Sequence, residues 1–179
     1  TNDWTLIEAK GTKPPFAIDN NACLDIKRNR IYLAGGAYPI AKGENSFWIY
    51  DIKTETFIDP KPKGSPCGGT QKHYGPNLAM MNYDSVNDVV VLANFKAVNE
   101  FDEKGERGIF IYDPESNEWT TVAKYSDLPW AVKEPNRSAG YVGQGYYDEI
   151  LNAHFIFFSA DSILAPWEAY VYRYKKPNK

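Results

Sequence analysis

The chain has 179 residues, a formal net charge of −3, and 43% hydrophobic against 24% charged residues, which fits one domain with its own core and excludes a disordered tail or low-complexity linker. No basic stripe appears and no apolar run is long enough for a membrane-crossing helix, so neither nucleic acid nor membrane is expected as a partner. Two cysteines, Cys23 and Cys67, are too few for a disulfide scaffold or a thiolate zinc site, while one disulfide stays open.

Aromatic residues at 15%, with 13 Gly and 12 Pro, predict short strands joined by turns. The chain starts at Thr1 without a signal peptide and reads as a mature chain or a fragment. Residues 1–9 hold a strand-like segment, Asp3-Trp-Thr-Leu-Ile7. A first repeat over about 16–60 then predicts strands at Asn21–Leu24, Arg30–Leu33, Phe47–Asp51 and Thr56–Ile58. A second, over about 76–124, predicts Leu78–Tyr83, Val89–Ala93, Gly108–Tyr112 and Glu118–Val122. The third, over about 138–179, predicts only Ala139–Tyr147, Ala153–Ser159 and Glu168–Tyr172.

Each repeat opens on an acidic turn followed by a β-rich run: Asp25 before Arg30–Leu33, Asp84 before Val89–Leu92, and Asp148 before Ala153–Ile156. Asp25 to Asp84 is 59 positions and Asp84 to Asp148 is 64; Tyr50, Tyr112 and Tyr172 are 62 and 60 apart. A period of about 60 with β character predicts propeller blades of four strands, against the competing reading of a sandwich with similar hairpins. The fourth strand missing from the third repeat has a candidate in Asp3–Ile7, which reads like Glu118-Trp-Thr-Thr-Val122. Three blades are too few for a ring, since propellers carry about four to eight. The expectation is therefore either two chains forming a six-bladed ring or additional blades on a longer chain.

Gly35-Gly36, Tyr50-Asp51, Thr54 and Phe57, with Tyr112-Asp113, Ser116 and Trp119 at the same hairpin spacing, resemble kelch-type propellers of the galactose-oxidase central-domain kind. The hairpin chemistry is local: Asp with Thr or Ser bonds the turn, and the aromatic pair packs across the strands. The likeness covers nearly the whole chain. It departs where the double glycine becomes Asn94-Phe95 and Phe158-Ser159, and where Arg173 replaces the hairpin Asp. The resemblance implies an all-β, kelch-like propeller, a scaffold that serves both enzymes and binding proteins.

On such a scaffold the long connections, over 10–20, 37–46, 60–76, 95–107, 125–138 and 160–166, are expected on one face, where sites tend to lie. The most informative carries Cys67-Gly-Gly-Thr-Gln-Lys72-His73-Tyr74. His73 precedes Asp84, and Arg137 precedes Asp148, by the same 11 positions, so the repeats place them equivalently. His73, Tyr74 and Arg137 form a catalytic set suited to a uronate-containing sugar: Arg neutralises the carboxylate and His or Tyr moves the proton in a β-elimination. The plainer reading is that the three satisfy loop backbone. Lys72, Asn136, Trp130 and Trp167 are candidates for substrate binding, the two Trp by stacking on sugar or by packing between blades.

His154 aligns with Ile31 and Val90 and is expected as a packed, hydrogen-bonded core histidine. A copper-radical set of Cys67, His73, Tyr74 and His154 needs two converging imidazoles, which that alignment disfavours. Glu100, Asp102, Glu103 and Glu106 with Lys104 and Arg107 read as a solvated charged loop rather than an opposed carboxyl pair. Asn136-Arg137-Ser138 is a glycosylation sequon, and no phosphate-binding glycine loop is present, so no cofactor is expected. The resulting expectation is a secreted or periplasmic carbohydrate-binding or carbohydrate-processing propeller, possible lyase chemistry included. The alternative is a non-catalytic interaction scaffold taking a peptide ligand.

Overall fold

A computed structural model of the chain describes residues 3–14, 21–35, 47–64, 80–94, 108–128, 139–160 and 167–176. Their strands form three antiparallel sheets. The first contains β1 (Asn21–Asp25), β2 (Arg30–Ala34), β3 (Phe47–Asp51) and β4 (Thr56–Ile58) in that order. The middle sheet contains β5 (Met80–Asp84), β6 (Val89–Asn94), β7 (Gly108–Asp113) and β8 (Glu118–Lys124). The third contains β9 (Ala139–Asp148), β10 (Ala153–Ala160) and β11 (Trp167–Tyr172). Every strand expected from the repeats is present with its ends within two residues.

The turns explain this agreement. Asp25, Asp51, Asp84, Asp113 and Asp148 each close a strand, and each carboxylate accepts backbone N–H bonds from the turn that follows. Four positions later the chain reverses at a residue with positive φ: Asn29 (52°), Glu55 (56°), Asp88 (56°), Asn117 (53°) and Asn152 (45°). Asn and Asp tolerate that region best, which is why they fill four of the five positions. Across the β3–β4 and β7–β8 hairpins the rings of Tyr50 and Phe57 lie 5.1 Å apart, and those of Tyr112 and Trp119 5.2 Å. Because the strands alternate in direction, all five turns lie at one end of the sheets, the turn end. The β2–β3, β6–β7 and β10–β11 connections leave from the other, the loop end.

The three sheets meet through their first strands, β1 beside β5 and β5 beside β9. Between the first and middle sheets Tyr32, Phe47, Phe110, Tyr112 and Trp119 are buried, with Phe47 wedged 4.7 Å from Tyr112 and 5.0 Å from Trp119. Between the middle and third sheets Met80, Val89, Val91, Ile109, Ile111 and Ile156 are buried. β9 approaches β5 closely at Gly145, where an added Cβ would stand 2.3 Å from Met80 Sδ and 2.5 Å from Phe155 O.

Two short straps, not foreseen from the repeats, tie each four-stranded sheet to the chain before it. Lys10 bridges Thr56 in parallel, its N–H donating to Glu55 O while Phe57 N–H donates to Lys10 O. Lys63 does the same at Glu118, through Asn117 O and Trp119 N–H. Each lysine is followed by a glycine with positive φ, Gly11 (81°) and Gly64 (73°), where a Cβ would meet Phe57 O at 2.7 Å or Trp119 O at 2.6 Å.

Two expectations need correction. The third sheet has three strands, and residues 3–9 make no strand pairing, so Asp3–Ile7 does not complete that sheet within the chain. The straps also place Lys10 and residues 60–64 at the turn end, where Asn117 Nδ2 donates to Pro60 O at 2.7 Å. The start of the 10–20 and 60–76 connections therefore lies opposite the face assigned to it. The cause is local: β4 has only three residues, so the chain crosses at once to the outer edge of the next sheet.

Candidate functional site

Of the candidate residues, Lys72, His73, Tyr74, Trp130, Asn136 and Arg137 lie outside the described residues, as do Cys67, the charged run 100–107 and the sequon 136–138. Trp167 is described. It begins β11 opposite Ser159, at the loop end, with 53% of its surface exposed. It points away from the middle sheet, as its alternation with the half-buried Glu168 and Tyr170 requires. The β5 and β9 strands, which follow the connections carrying the other six, also begin at the loop end, at Met80 and Ala139.

Buried Asp25, Asp84 and His154 lie toward the turn end, in two polar clusters between sheets. The first cluster joins the first and middle sheets. Arg28 Nη1 donates to Asp25 Oδ2 at 3.0 Å and to Asp88 Oδ1 at 2.6 Å, and Nη2 donates to Asp88 Oδ2 at 2.9 Å. Lys27 adds an ion pair to Asp88, Tyr83 donates to Asp88 Oδ1 at 2.7 Å, and Tyr32 donates to Asp25 Oδ2 at 2.9 Å. The Arg28 hydrogen bonds, reinforced by Lys27 and Tyr83 against the cost of burial, hold the Asp88 carboxyl well below the ordinary carboxylate range. Burial and then Asp25 push the Tyr32 phenol up, out of reach of proton transfer near neutrality.

The second cluster joins the middle and third sheets around His154, which is fully buried. Its Nε2 lies 3.3 Å from Asp84 Oδ2, and its ring lies 4.7 Å from that of Tyr147. Asn87 Nδ2 bonds Asp84, Asn152 Oδ1 and Tyr174 O, reaching both sheets. Burial works to raise the Asp84 carboxyl, but bonds from His154, Asn87 and Tyr147 outweigh it and keep it below its usual value. Burial, with the bond to Asp84, pushes Tyr147 up to about 12.

His154 is thus a packed, hydrogen-bonded histidine of the sheet interface, as its alignment with Ile31 and Val90 implied. The enclosed His154–Asp84 pair offers a substrate no access, and His154 is committed to Asp84 rather than to a copper set. No group of three or more His, Cys, Asp or Glu placed to hold a metal occurs among the described residues. Cys23 is a free thiol whose pKa burial, then the Asp25 charge, raises, so it is a weak nucleophile.

Repeat alignment missed one thing here. It registered the leading aspartates but not their cross-sheet partners. The residue four positions after Asp84 and after Asp148 is also the acceptor for the previous sheet: Arg28 reaches Asp88 and Asn87 reaches Asn152. The available signal was a donor at 28 and 87 set against an Asp or Asn at 88 and 152.

Among the described residues no helix is long and apolar enough to cross a membrane. No protein-family model matches the chain, and no curated protein matches it.

Proposed function

We propose that the three sheets are successive blades of a kelch-like β-propeller whose loop end binds and processes carbohydrate, with uronate-containing glycans as the substrate class and an extracytoplasmic site of action. The supporting observation is the radial order. First strands adjoin one another, outer strands carry the straps, and the five described short turns share one end, with the β2–β3, β6–β7 and β10–β11 connections leaving from the other. The half-exposed Trp167 at that end offers a flat apolar face of the kind that stacks on a sugar ring.

In this reading Arg137 neutralises the uronate carboxylate, which acidifies the adjacent C–H. His73 or Tyr74 takes that proton, and the electron pair forms a C4=C5 double bond as the C4–oxygen bond breaks. The departing oxygen takes up a proton, so charge and atoms balance. Lys72, Asn136 and Trp130 hold neighbouring sugar units.

The test is a glycan panel read by the ultraviolet absorbance of the new double bond and by reducing ends. Turnover on a uronate polymer that His73→Ala abolishes, with circular dichroism unchanged, is the expected outcome. Undiminished turnover in that variant removes His73 from the chemistry. No turnover on any glycan, with binding lost through substitutions scattered over several connections, favours a peptide-binding scaffold instead.

A further inference from the structure

We propose that Asn87 and residues 174–176 form a latch between the middle and third sheets, and that the third sheet opens there as a unit while the junction of the first and middle sheets stays closed. The inference stands on the contacts between the sheets and goes beyond the glycan reading.

Residues 174–176 follow β11 at the turn end and return to the middle sheet. Tyr174 packs against the apolar core of that junction. Asn87, in the turn between β5 and β6, holds the backbone on both sides of Lys175. Its Nδ2 donates to Tyr174 O at 3.2 Å, and its Oδ1 accepts from Lys176 N–H at 3.3 Å. A side-chain amide used in this way stands in for the peptide group of a neighbouring strand. Lys176 Nζ then pairs with Asp113 Oδ2 at 3.2 Å, where β7 ends. The segment is thus continuous with the third sheet and bonded to two turns of the middle one.

The latch is strong within its own turn and weak where it crosses. An amide nitrogen carries two hydrogens, and Asn87 Nδ2 faces three acceptors. Asp84 Oδ2, in the same turn at 2.8 Å, takes one hydrogen. Tyr174 O at 3.2 Å and Asn152 Oδ1 at 3.4 Å share the other, and both of these belong to the third-sheet side. Two further crossing contacts, His154 Nε2 to Asp84 and Ser85 Oγ to Glu149, are each 3.3 Å long. Hydrogen bonds of full strength span about 2.7–3.2 Å. At the other junction Arg28 grips Asp88 at 2.6 and 2.9 Å, a two-pronged charged contact reinforced by Lys27. Charge-assisted pairs of that length are roughly twice as strong as neutral bonds, so the third sheet yields first.

Opening also relieves a cost. His154 Nδ1 and Asn82 Nδ2 are buried without a hydrogen-bond partner. Both belong to this junction: His154 meets Asp84 from β10, and Asn82 lies between Met80 and Asp84 on the side of β5 turned to the third sheet. Water entering the junction satisfies both atoms. Trp119 Nε1 is in the same condition at the first junction, but there the charged grip of Arg28 on Asp88 opposes opening. Apolar cover is thin as well, since β11 buries none of its residues fully and β9 comes closest to β5 at Gly145, which has no side chain. A three-stranded sheet that loses its buried face does not hold its hydrogen bonds for long, so undocking exposes its amides.

β5 follows the connection that carries His73 and Tyr74, and β9 follows the one that carries Arg137. On the glycan reading, the latch therefore controls the separation of the two strands to which those connections lead, from the opposite end of the sheets.

The experiment is amide hydrogen exchange, strand by strand, on the 179-residue chain and on two variants at one position. Lys176→Pro removes both the N–H that Asn87 accepts and the ammonium that pairs with Asp113, whereas Lys176→Met removes only the ammonium. In Lys176→Pro the amides of β10 and β11 should exchange about five to ten times faster, the effect of losing one or two hydrogen bonds. The acceleration should be smaller in Lys176→Met, and β2, β3, β6 and β7 should be unchanged in both. Salt at about 1 M should speed β10 and β11 in the native chain and leave Lys176→Met as it was, because it screens the pair that this variant lacks. Faster exchange spread evenly over all three sheets overturns opening as a unit, and unchanged exchange in both variants overturns the latch. The readout needs no glycan, so it is independent of the function proposed above.

Discussion

The middle sheet and its two neighbours share one strand pattern and differ in what covers them. Every residue of β6 is buried, because Val90 and Leu92 face the first sheet while Val89, Val91 and Ala93 face the third. β2, its counterpart in the first sheet, buries only Tyr32 and Ala34, and β11 buries none of its residues fully. A continuous apolar run in β6 against alternation in β2 follows from two covered faces rather than one. Sequence repeats of nearly equal strand content thus carry unequal shares of the stability. The middle sheet is where the core sits, flanked by a neighbour on each face.

The largest test of this difference is truncation on either side of it. Phe110→Ala, in the aromatic wedge, should destabilise by about 3–5 kcal/mol in denaturant unfolding. Leu33→Ala, on the outer face of β2, should cost about 1 kcal/mol in a single chain. Equal losses would mean that the outer face is as well covered as the inner one, and a Leu33→Ala loss that grows with protein concentration would locate the covering partner in a second copy.

Gly145 sharpens the comparison at the junction of middle and third sheets. Gly145→Ala forces a Cβ into Met80 and the Phe155 carbonyl and should cost about 1–3 kcal/mol. A neutral result in thermal unfolding would show that β9 has room to move away from β5.

The turn aspartates come next. Asp84→Ala removes the partner of buried His154 as well as a turn cap, whereas Asp148→Ala removes only the local cap. The expected losses are about 2–3 and about 1 kcal/mol respectively, measured by the same denaturant midpoints. The interface role assigned to Asp84 fails if the two variants are alike.

The smallest effect is in pH. Asp88 and Asp84 titrate below their unfolded value, so the stability they contribute is complete above about pH 4 and is lost as pH falls through their depressed folded values. Arg28→Met should flatten that acid limb by letting Asp88 return toward an ordinary carboxylate, and an unchanged acid slope would show that Asp88 is held by Lys27 and Tyr83 alone.

Strand positions were legible because each strand is bounded by a turn with its own chemistry. Asp51 capping Thr54, and Asn117 at positive φ, are determined within five residues. The straps were not legible: Lys10-Gly11 and Lys63-Gly64 are two-residue signals whose meaning depends on the carbonyls of Phe57 and Trp119, elsewhere in the chain. His154 was legible as a core residue from its alignment with Ile31 and Val90, but its partner Asp84, 70 residues away, was not. The candidate site was legible only as residue types, since the grouping of His73, Tyr74 and Arg137 rests on repeat arithmetic alone.

The sequence by itself determined the all-β character, the strand boundaries and the repeat, because these depend on hydrophobic alternation and on turns whose donors and acceptors lie a few residues apart. Tertiary structure decided which faces are covered, that Asp84 answers His154 and Asp88 answers Arg28, and that Asp3–Ile7 makes no strand pairing among the described residues. Those outcomes turn on contacts between residues about 60 or more apart, whose geometry no local pattern contains.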